Sequence, residues 1–210
     1  MRRVSAAAGA LLFLAALVIL WESRLSVGRD VYVSEMGAPG EPTADRFRLA
    51  LIAIAVGAVL LAVASGRVSA PWRPLVLASP ALAFLVSSAM FGVAAALPCT
   101  PGCPTPLTPE STPRDLVHIV AAVLAFAAAG LAMLEYSFAP GHVALRRVSR
   151  LCCVAVIVIA GAGGLMSLFR LWTGLGGWFE LIATTIALCW AVALGALLAG
   201  RPAAAVPSGD

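Results

Sequence analysis

Six long apolar runs constrain this chain more than any other feature of its sequence. They cover residues 4–21, 49–65, 75–97, 116–136, 151–169 and 178–198. Each run is close to the roughly 20 residues that an α-helix needs to cross about 30 Å of hydrocarbon. A helix also satisfies its own backbone hydrogen bonds where water is absent. The runs therefore predict an all-α, polytopic membrane protein, built as a bundle of six transmembrane helices.

The distribution of arginine predicts the orientation of these helices. No Lys occurs, and two short loops collect five arginines, with Arg67 and Arg73 after the second run and Arg146, Arg147 and Arg150 after the fourth. Short loops on the cytoplasmic side of a membrane carry an excess of basic residues. We therefore expect both the N-terminus and the C-terminus to be cytoplasmic.

This orientation assigns the rest of the chain to loops of a single transmembrane domain over residues 1–210. Outer loops are predicted at residues 22–48 and 98–115, and a short disordered tail at residues 201–210. The expected location is the cell (plasma) membrane.

Each predicted outer loop carries its own pattern. In the first, Val31 and Val33 begin a short β-like run that breaks into turn residues. In the second, Cys99 and Cys103 precede a series of prolines. Because conditions outside the cytoplasm are oxidising, we expect a disulfide between these two cysteines, which would fix the loop as a small lid.

Two segments of the sequence carry a resemblance to a known family. They are Ser34-Glu35-Met36-Gly37-Ala38 between the first two spans, and the Cys-Thr-Pro-Gly-Cys loop that leads into Arg114-Asp115-Leu116-Val117-His118. Over nearly its whole length, the chain resembles an uncharacterised family of six-span prokaryotic membrane proteins, domain of unknown function 998. This resemblance implies the topology and a prokaryotic inner membrane. A weaker likeness to the eukaryotic Frag1/DRAM/Sfk1 group implies a role in lipid organisation.

Asp115 and His118 are the most suggestive pair of polar residues. They lie three residues apart at the start of the fourth run, and this spacing places them on one face of a helix, where the carboxylate can orient or charge the imidazole. Asp115 also fits a capping box with Thr112, which is a purely structural role. His118 begins a face of small residues that favours the interior of the bundle, and ionisable groups inside spans are candidates for function.

A set of polar residues is predicted at similar depth in the outer half of the bundle. Arg170 and Glu180 flank a glycine-rich turn, across which they are expected to form an ion pair. The predicted ligand-binding set around His118 is Glu35, Ser87, Asp115, His118, Arg170 and Glu180. The alternative is a group of independent anchors at the membrane interface.

These residues support one leading hypothesis and three alternatives. The leading hypothesis is a protein that binds or organises a lipid or isoprenoid-like amphiphile in an outer-half pocket. The second is a membrane enzyme that uses His118 with Asp115 or Glu35 as catalytic residues. The others are an accessory subunit of a larger membrane complex, packed through its glycine-rich fifth helix, and a small-molecule transporter.

The sequence also argues against several chemistries. With two histidines in the chain, the paired ligands of a b-type haem and the several histidines of a zinc hydrolase are missing. A phosphate-binding loop needs a Lys that the chain lacks. We therefore expect no cofactor, no metal and no nucleic-acid partner; membrane lipid is the expected partner, with another membrane protein or a second copy of the chain as alternatives.

Overall fold

The structure, a computed structural model, describes residues 1–66, 79–106, 108–140, 143–169 and 171–200. Within these ranges the chain forms six α-helices and one short 3₁₀ helix, with no strand. The α-helices are α1 (Arg2–Val27), α2 (Ala44–Ser65), α3 (Pro80–Ala96), α4 (Pro113–Tyr136), α5 (Val143–Leu168) and α6 (Thr173–Gly200). Five of them are long and apolar enough to cross a membrane, and α3 is a shorter apolar helix of 17 residues. The predicted helical membrane bundle is therefore confirmed.

Some predicted features fall outside the described residues. The third run was predicted to begin at residue 75, but residues 75–78 are not among the described ones. The same holds for Arg67, Arg73 and the tail at 201–210. The described part of the third span begins at Pro80. There the Ser79 hydroxyl caps the helix by accepting the backbone N–H of Leu82 at 3.2 Å.

The helices form a ring in chain order, which α1 closes by packing against α6. Neighbouring helices contact each other extensively, and α4 and α5 do so least. Small residues allow the close approaches. A Cβ added to Gly195 of α6 would lie 2.8 Å from the carbonyl oxygen of Ala6 in α1, and one on Gly9 of α1 would lie 3.1 Å from that of Gly57 in α2. Such contacts are the usual packing surface between membrane helices.

Aromatic rings and paired polar groups fill the interior of the ring. Phe84 stacks on Trp190 with 6.1 Å between ring centroids, and Tyr136 meets Trp190 edge-on at 5.9 Å. The indole N–H of Trp190 donates to the Ser149 hydroxyl at 2.9 Å, while the Tyr136 hydroxyl donates to that of Ser65 at 2.8 Å. These bonds satisfy polar atoms that hydrocarbon could not solvate, and they join four different helices.

Helix α5 is the most peripheral span. When the most apolar stretch of each of the five long helices is compared, that of α5 is the least buried. Leu151 and Ile157 are 70% and 62% exposed, and a Cβ on Gly161 or Gly164 would meet no other atom within 4 Å. In a bilayer this face contacts lipid or another protein.

The first outer loop differs from its β-like prediction, which was wrong. Its residues Ser34–Gly37 form the 3₁₀ helix, closed by bonds from the Glu35 amide to the Tyr32 carbonyl and from the Met36 amide to the Val33 carbonyl. Both Val33 and Met36 are buried. The alternation of apolar residues suggested a strand, yet here the apolar side chains are buried against the ends of helices, and a compact turn does this better than an extended chain.

Candidate functional site at the predicted outer ends of the helices

Asp115 joins the second outer loop to the start of α4. The capping box is confirmed: the Thr112 hydroxyl accepts the Asp115 amide at 3.3 Å, and the Asp115 carboxylate accepts the Thr112 amide at 2.9 Å. The same carboxylate accepts the Thr100 amide at 2.6 Å and the hydroxyls of both threonines. Because Asp115 is fully buried, these donors replace the water that an ionised carboxylate needs.

His118 holds the end of α3 in place, one turn deeper than Asp115. Its ring is 2% exposed, and Nδ1 lies 2.9 Å from the Leu97 carbonyl and 3.2 Å from the Ala94 carbonyl. A carbonyl can only accept, so these contacts assign the proton to Nδ1 and leave the lone pair on Nε2. The side chains of Asp115 and His118 thus fix different segments, the loop and α3, within one cluster.

The disulfide predicted between Cys99 and Cys103 is present in this cluster. Both sulfurs are buried, and a nitrogen of the His118 ring lies within 4.8 Å of them. The Cys99 sulfur is also 3.6 Å from the Ser34 carbonyl oxygen of the first outer loop. The disulfide therefore stands where the two outer loops meet.

Glu180 holds the first outer loop on the start of α6. Its carboxylate accepts the Val33 amide at 2.8 Å. The glycines before it make room for this loop, because a Cβ on Gly177 would collide with the Val31 carbonyl and one on Gly176 would lie 2.9 Å from the Tyr32 ring. The predicted glycine-rich turn is thus the beginning of α6 and a docking surface for the loop backbone.

Glu35 belongs to the same loop and stays within it. Its carboxylate accepts the Tyr32 amide at 3.2 Å and pairs with Arg29 at 3.5 Å, while Arg29 also pairs with Glu41. Arg24 supports the loop from α1: it is buried, donates to the Arg29 carbonyl at 2.6 Å and lies over the Trp178 ring. The carboxylates and arginines of this loop therefore fold it into a cap.

The structure brings together some of the predicted ligand-binding residues and not others. Asp115 and His118 share one cluster, Glu35 and Glu180 share the neighbouring one, and Ser87 lies apart in the interior of the ring. Arg170 lies outside the described residues, so its pairing with Glu180 stays a prediction. The carboxylates and the imidazole engage backbone groups of the chain itself, so they position the two outer loops and the ends of the helices beside them.

Ser87 lines a cavity at the centre of the ring of about 30 Å³. Its other walls are mostly aromatic and aliphatic, including Phe84, Phe91, Phe126 and Met133, with the hydroxyl of Thr184. A water molecule needs at least roughly 10–15 Å³ of such space. The cavity therefore accommodates one or two waters and is far too small for an acyl or isoprenoid chain.

A larger groove of about 180 Å³ lies between the first outer loop, the start of α2 and the end of α3. Its walls are mainly small or apolar, and two charged residues lie at its edge. The lining residues are Gly37, Pro39, Ala44, Asp45, Phe47, Arg48, Leu51, Ala94, Ala95 and Pro98. Sequence reasoning missed this groove because three segments that are distant in the sequence form it.

Sequence reasoning also missed Glu135, an acidic residue inside the fourth run. Its side chain is fully buried, and neither carboxylate oxygen has a hydrogen-bond partner among the residues that the structure describes. A carboxylate one residue before the end of an apolar run was the signal available in the sequence. Ionisable groups inside spans are candidates for function by default, so Glu135 is added to the candidate functional residues.

Comparison with known proteins places the chain by family alone. No curated protein and no solved structure matches it. The model of a family described as proteins of unknown function, DUF998, matches residues 5–197. With the helical bundle described above, this match establishes that the chain is an integral membrane protein belonging to the DUF998 family.

Proposed function

We propose that this protein binds a phosphate-bearing amphiphile of the plasma membrane in the groove between the first outer loop, α2 and α3. The observation that carries the proposal is the combination of an apolar floor with Arg48 at its edge, an arginine that pairs with no carboxylate among the described residues. The central cavity of about 30 Å³ leaves no room for a tail. The amphiphile-binding hypothesis therefore moves from the surroundings of His118 to this groove.

The size of the groove suggests which part of the ligand it takes. Sites that enclose a whole small ligand have volumes of roughly 300–1,000 Å³. At about 180 Å³, the groove suits one end of an amphiphile, with the remaining chain along the lipid-facing side of the bundle. Ile52 and Val56 of α2 and Leu85 of α3 are 43–47% exposed and offer an apolar surface on that side.

The charges at the edge of the groove favour a phosphate. Arg48 is exposed and forms no ion pair with any carboxylate in the described part of the chain. The start of α2 lies beside it. Thr43, the residue before this helix, leaves the first turn uncapped because its hydroxyl donates to the Met36 carbonyl instead. The Ala44 amide bonds to the Glu41 carbonyl. The positive end of the helix dipole still attracts an anion, and the guanidinium of Arg48 can add a charged hydrogen bond.

Asp45 lies at the same edge and refines the proposal. Its carboxylate suits the ammonium of a zwitterionic headgroup and disfavours a headgroup that carries only negative charge. We therefore expect phospholipids with a phosphate and an amine to bind more tightly than phospholipids with a phosphate alone.

The test compares Arg48→Gln with Arg46→Gln. Arg46 lies in the same helix turn but outside the groove, 3.8 Å from Glu22, and so serves as the matched control. Each protein is purified in mild detergent and titrated with short-chain phosphatidylethanolamine and phosphatidylglycerol, with bound lipid counted by native mass spectrometry. Loss of a charged hydrogen bond worth about 1.5–3 kcal/mol predicts roughly 10- to 150-fold weaker binding for Arg48→Gln.

A second variant tests the floor of the groove. Ala95→Leu narrows the groove without changing any charge, so it should also reduce lipid binding, whereas Arg46→Gln should not. Equal lipid binding by the wild type, Arg48→Gln and Ala95→Leu would overturn the proposal.

A further inference from the structure

The cluster at the junction of the outer loops contains three residues that ligate metals. Cys99, Cys103 and His118 are all buried, and their ligand atoms lie within 4.8 Å of one another. Two thiolates and an imidazole are the donor set that thiophilic divalent cations such as Zn²⁺ prefer. The disulfide accounts for the two sulfurs in the oxidised protein, and the bonds of His118 to the Ala94 and Leu97 carbonyls use only one of its two ring nitrogens.

We propose that, once this disulfide is reduced, Cys99, Cys103 and His118 bind one thiophilic divalent cation at the junction of the two outer loops. The site would alternate between two forms, a disulfide in the oxidised protein and a metal centre in the reduced protein. This inference is independent of the lipid groove, because none of the three residues lines it.

The geometry requires only small movements. Zn–S bonds of about 2.3 Å and Zn–N bonds of about 2.0–2.1 Å place the ligand atoms of a tetrahedral site roughly 3.5–3.8 Å apart. The distances between the histidine nitrogen and the sulfurs, which are up to 4.8 Å, have to shorten by about 1 Å, and the two sulfurs have to move apart after reduction. The Cα atoms of Cys99 and Cys103 are 5.1 Å apart, so rotation of the side chains supplies most of this change.

The surroundings of His118 prepare its ring for this role. Metal-binding histidines usually donate their other ring N–H to a carbonyl or carboxylate, which fixes the tautomer. The Leu97 carbonyl accepts from Nδ1 at 2.9 Å here, so Nε2 carries the lone pair. Three protein ligands leave the fourth position of a tetrahedral ion open to water or a small molecule.

A dithiol reductant supplies the electrons and protons that reduction of the Cys99–Cys103 disulfide requires before the cation binds. The reductant transfers two electrons and two protons to the disulfide, becoming a cyclic disulfide while Cys99 and Cys103 become thiols. Binding of the cation then releases one proton from each thiol. The neighbouring Pro101 and Gly102 are exposed, so a small reductant can approach this loop from solvent.

The experiment uses the full chain in detergent with the other thiols removed, as the variant Cys152→Ser, Cys153→Ser and Cys189→Ser. The protein is titrated with Cd²⁺ before and after reduction by a dithiol that is then removed without air. Thiolate-to-cadmium absorbance in the ultraviolet reports binding. We expect one ion per chain after reduction and none before.

Two further variants separate a metal site from a structural disulfide. His118→Gln should weaken cadmium binding by at least about tenfold, and Cys103→Ser, which cannot form the bridge, should lose the absorbance of the two-thiolate site. Circular dichroism checks that each variant keeps its helices; if His118→Gln does not, Cys103→Ser carries the test. Absence of binding to the folded, reduced protein, or equal affinity in the His118→Gln variant, would overturn the inference.

Discussion

Replacement of Asp115 by Ala tests the idea that buried carboxylates hold the outer loops. The substitution removes the acceptor for two backbone amides, those of Thr100 and Thr112 at 2.6 and 2.9 Å, and for two hydroxyls. Hydroxyls can rotate to new partners, whereas the amides cannot. With about 1.5–3 kcal/mol for each amide bond to a charged group, the expected loss of unfolding free energy is about 3–6 kcal/mol.

The assay is thermal unfolding in a mild detergent, followed by circular dichroism. For a chain of this size, each kcal/mol corresponds to a shift of roughly 2–4 °C, so Asp115→Ala should lower the Tm by at least about 6 °C. Glu110→Ala is the matched control, since Glu110 is an exposed carboxylate of the same loop without an ion pair in the described chain. Its effect should stay within about 0.5 kcal/mol. Equal shifts for the two variants would refute the reasoning.

Two further predictions concern the first outer loop. Gly177→Ala places a Cβ against the Val31 carbonyl and should lower the free energy of unfolding by about 1–3 kcal/mol. The control Gly164→Ala lies in open space on α5 and should raise it by up to about 1 kcal/mol. Similar effects on thermal unfolding at both sites would contradict the proposed docking of the loop. Glu180→Ala removes the acceptor of the Val33 amide and should speed tryptic cleavage within the loop at least about tenfold, while Glu180→Gln keeps an acceptor and should change it less. Identical cleavage rates would show that Glu180 does not hold the loop.

Features encoded over a few residues were predictable from the sequence. The apolar runs gave the helices, the sequence from Thr112 to Asp115 gave the capping box, and the close spacing of Cys99 and Cys103 gave the disulfide. The capping box and the disulfide depend on residues that are close together in the chain. The helices were predictable because the length of each apolar run can be compared with the thickness of a bilayer.

Features that join distant segments were not predictable. The bond from Glu180 to Val33 spans 147 residues, and the contact of His118 with Leu97 depends on how α3 and α4 pack. The sequence suggested polar residues at a common depth, but it could not show that their partners would be backbone groups instead of a ligand. The 3₁₀ helix was missed for the same reason, since what buries Met36 lies elsewhere in the chain.

Closure of the ring by α1 against α6 has a consequence for biosynthesis. Helix α1 is synthesised well before α6, so it must wait for α6 before the contact between Ala6 and Gly195 can form. Until then α5 lacks its main neighbour and α1 has only α2 beside it, so a nascent chain halted before α6 would present unpaired helix surfaces to insertion chaperones and membrane proteases. Closure of the ring thus has to follow the synthesis of α6, and chains that stop before this helix should be degraded rapidly.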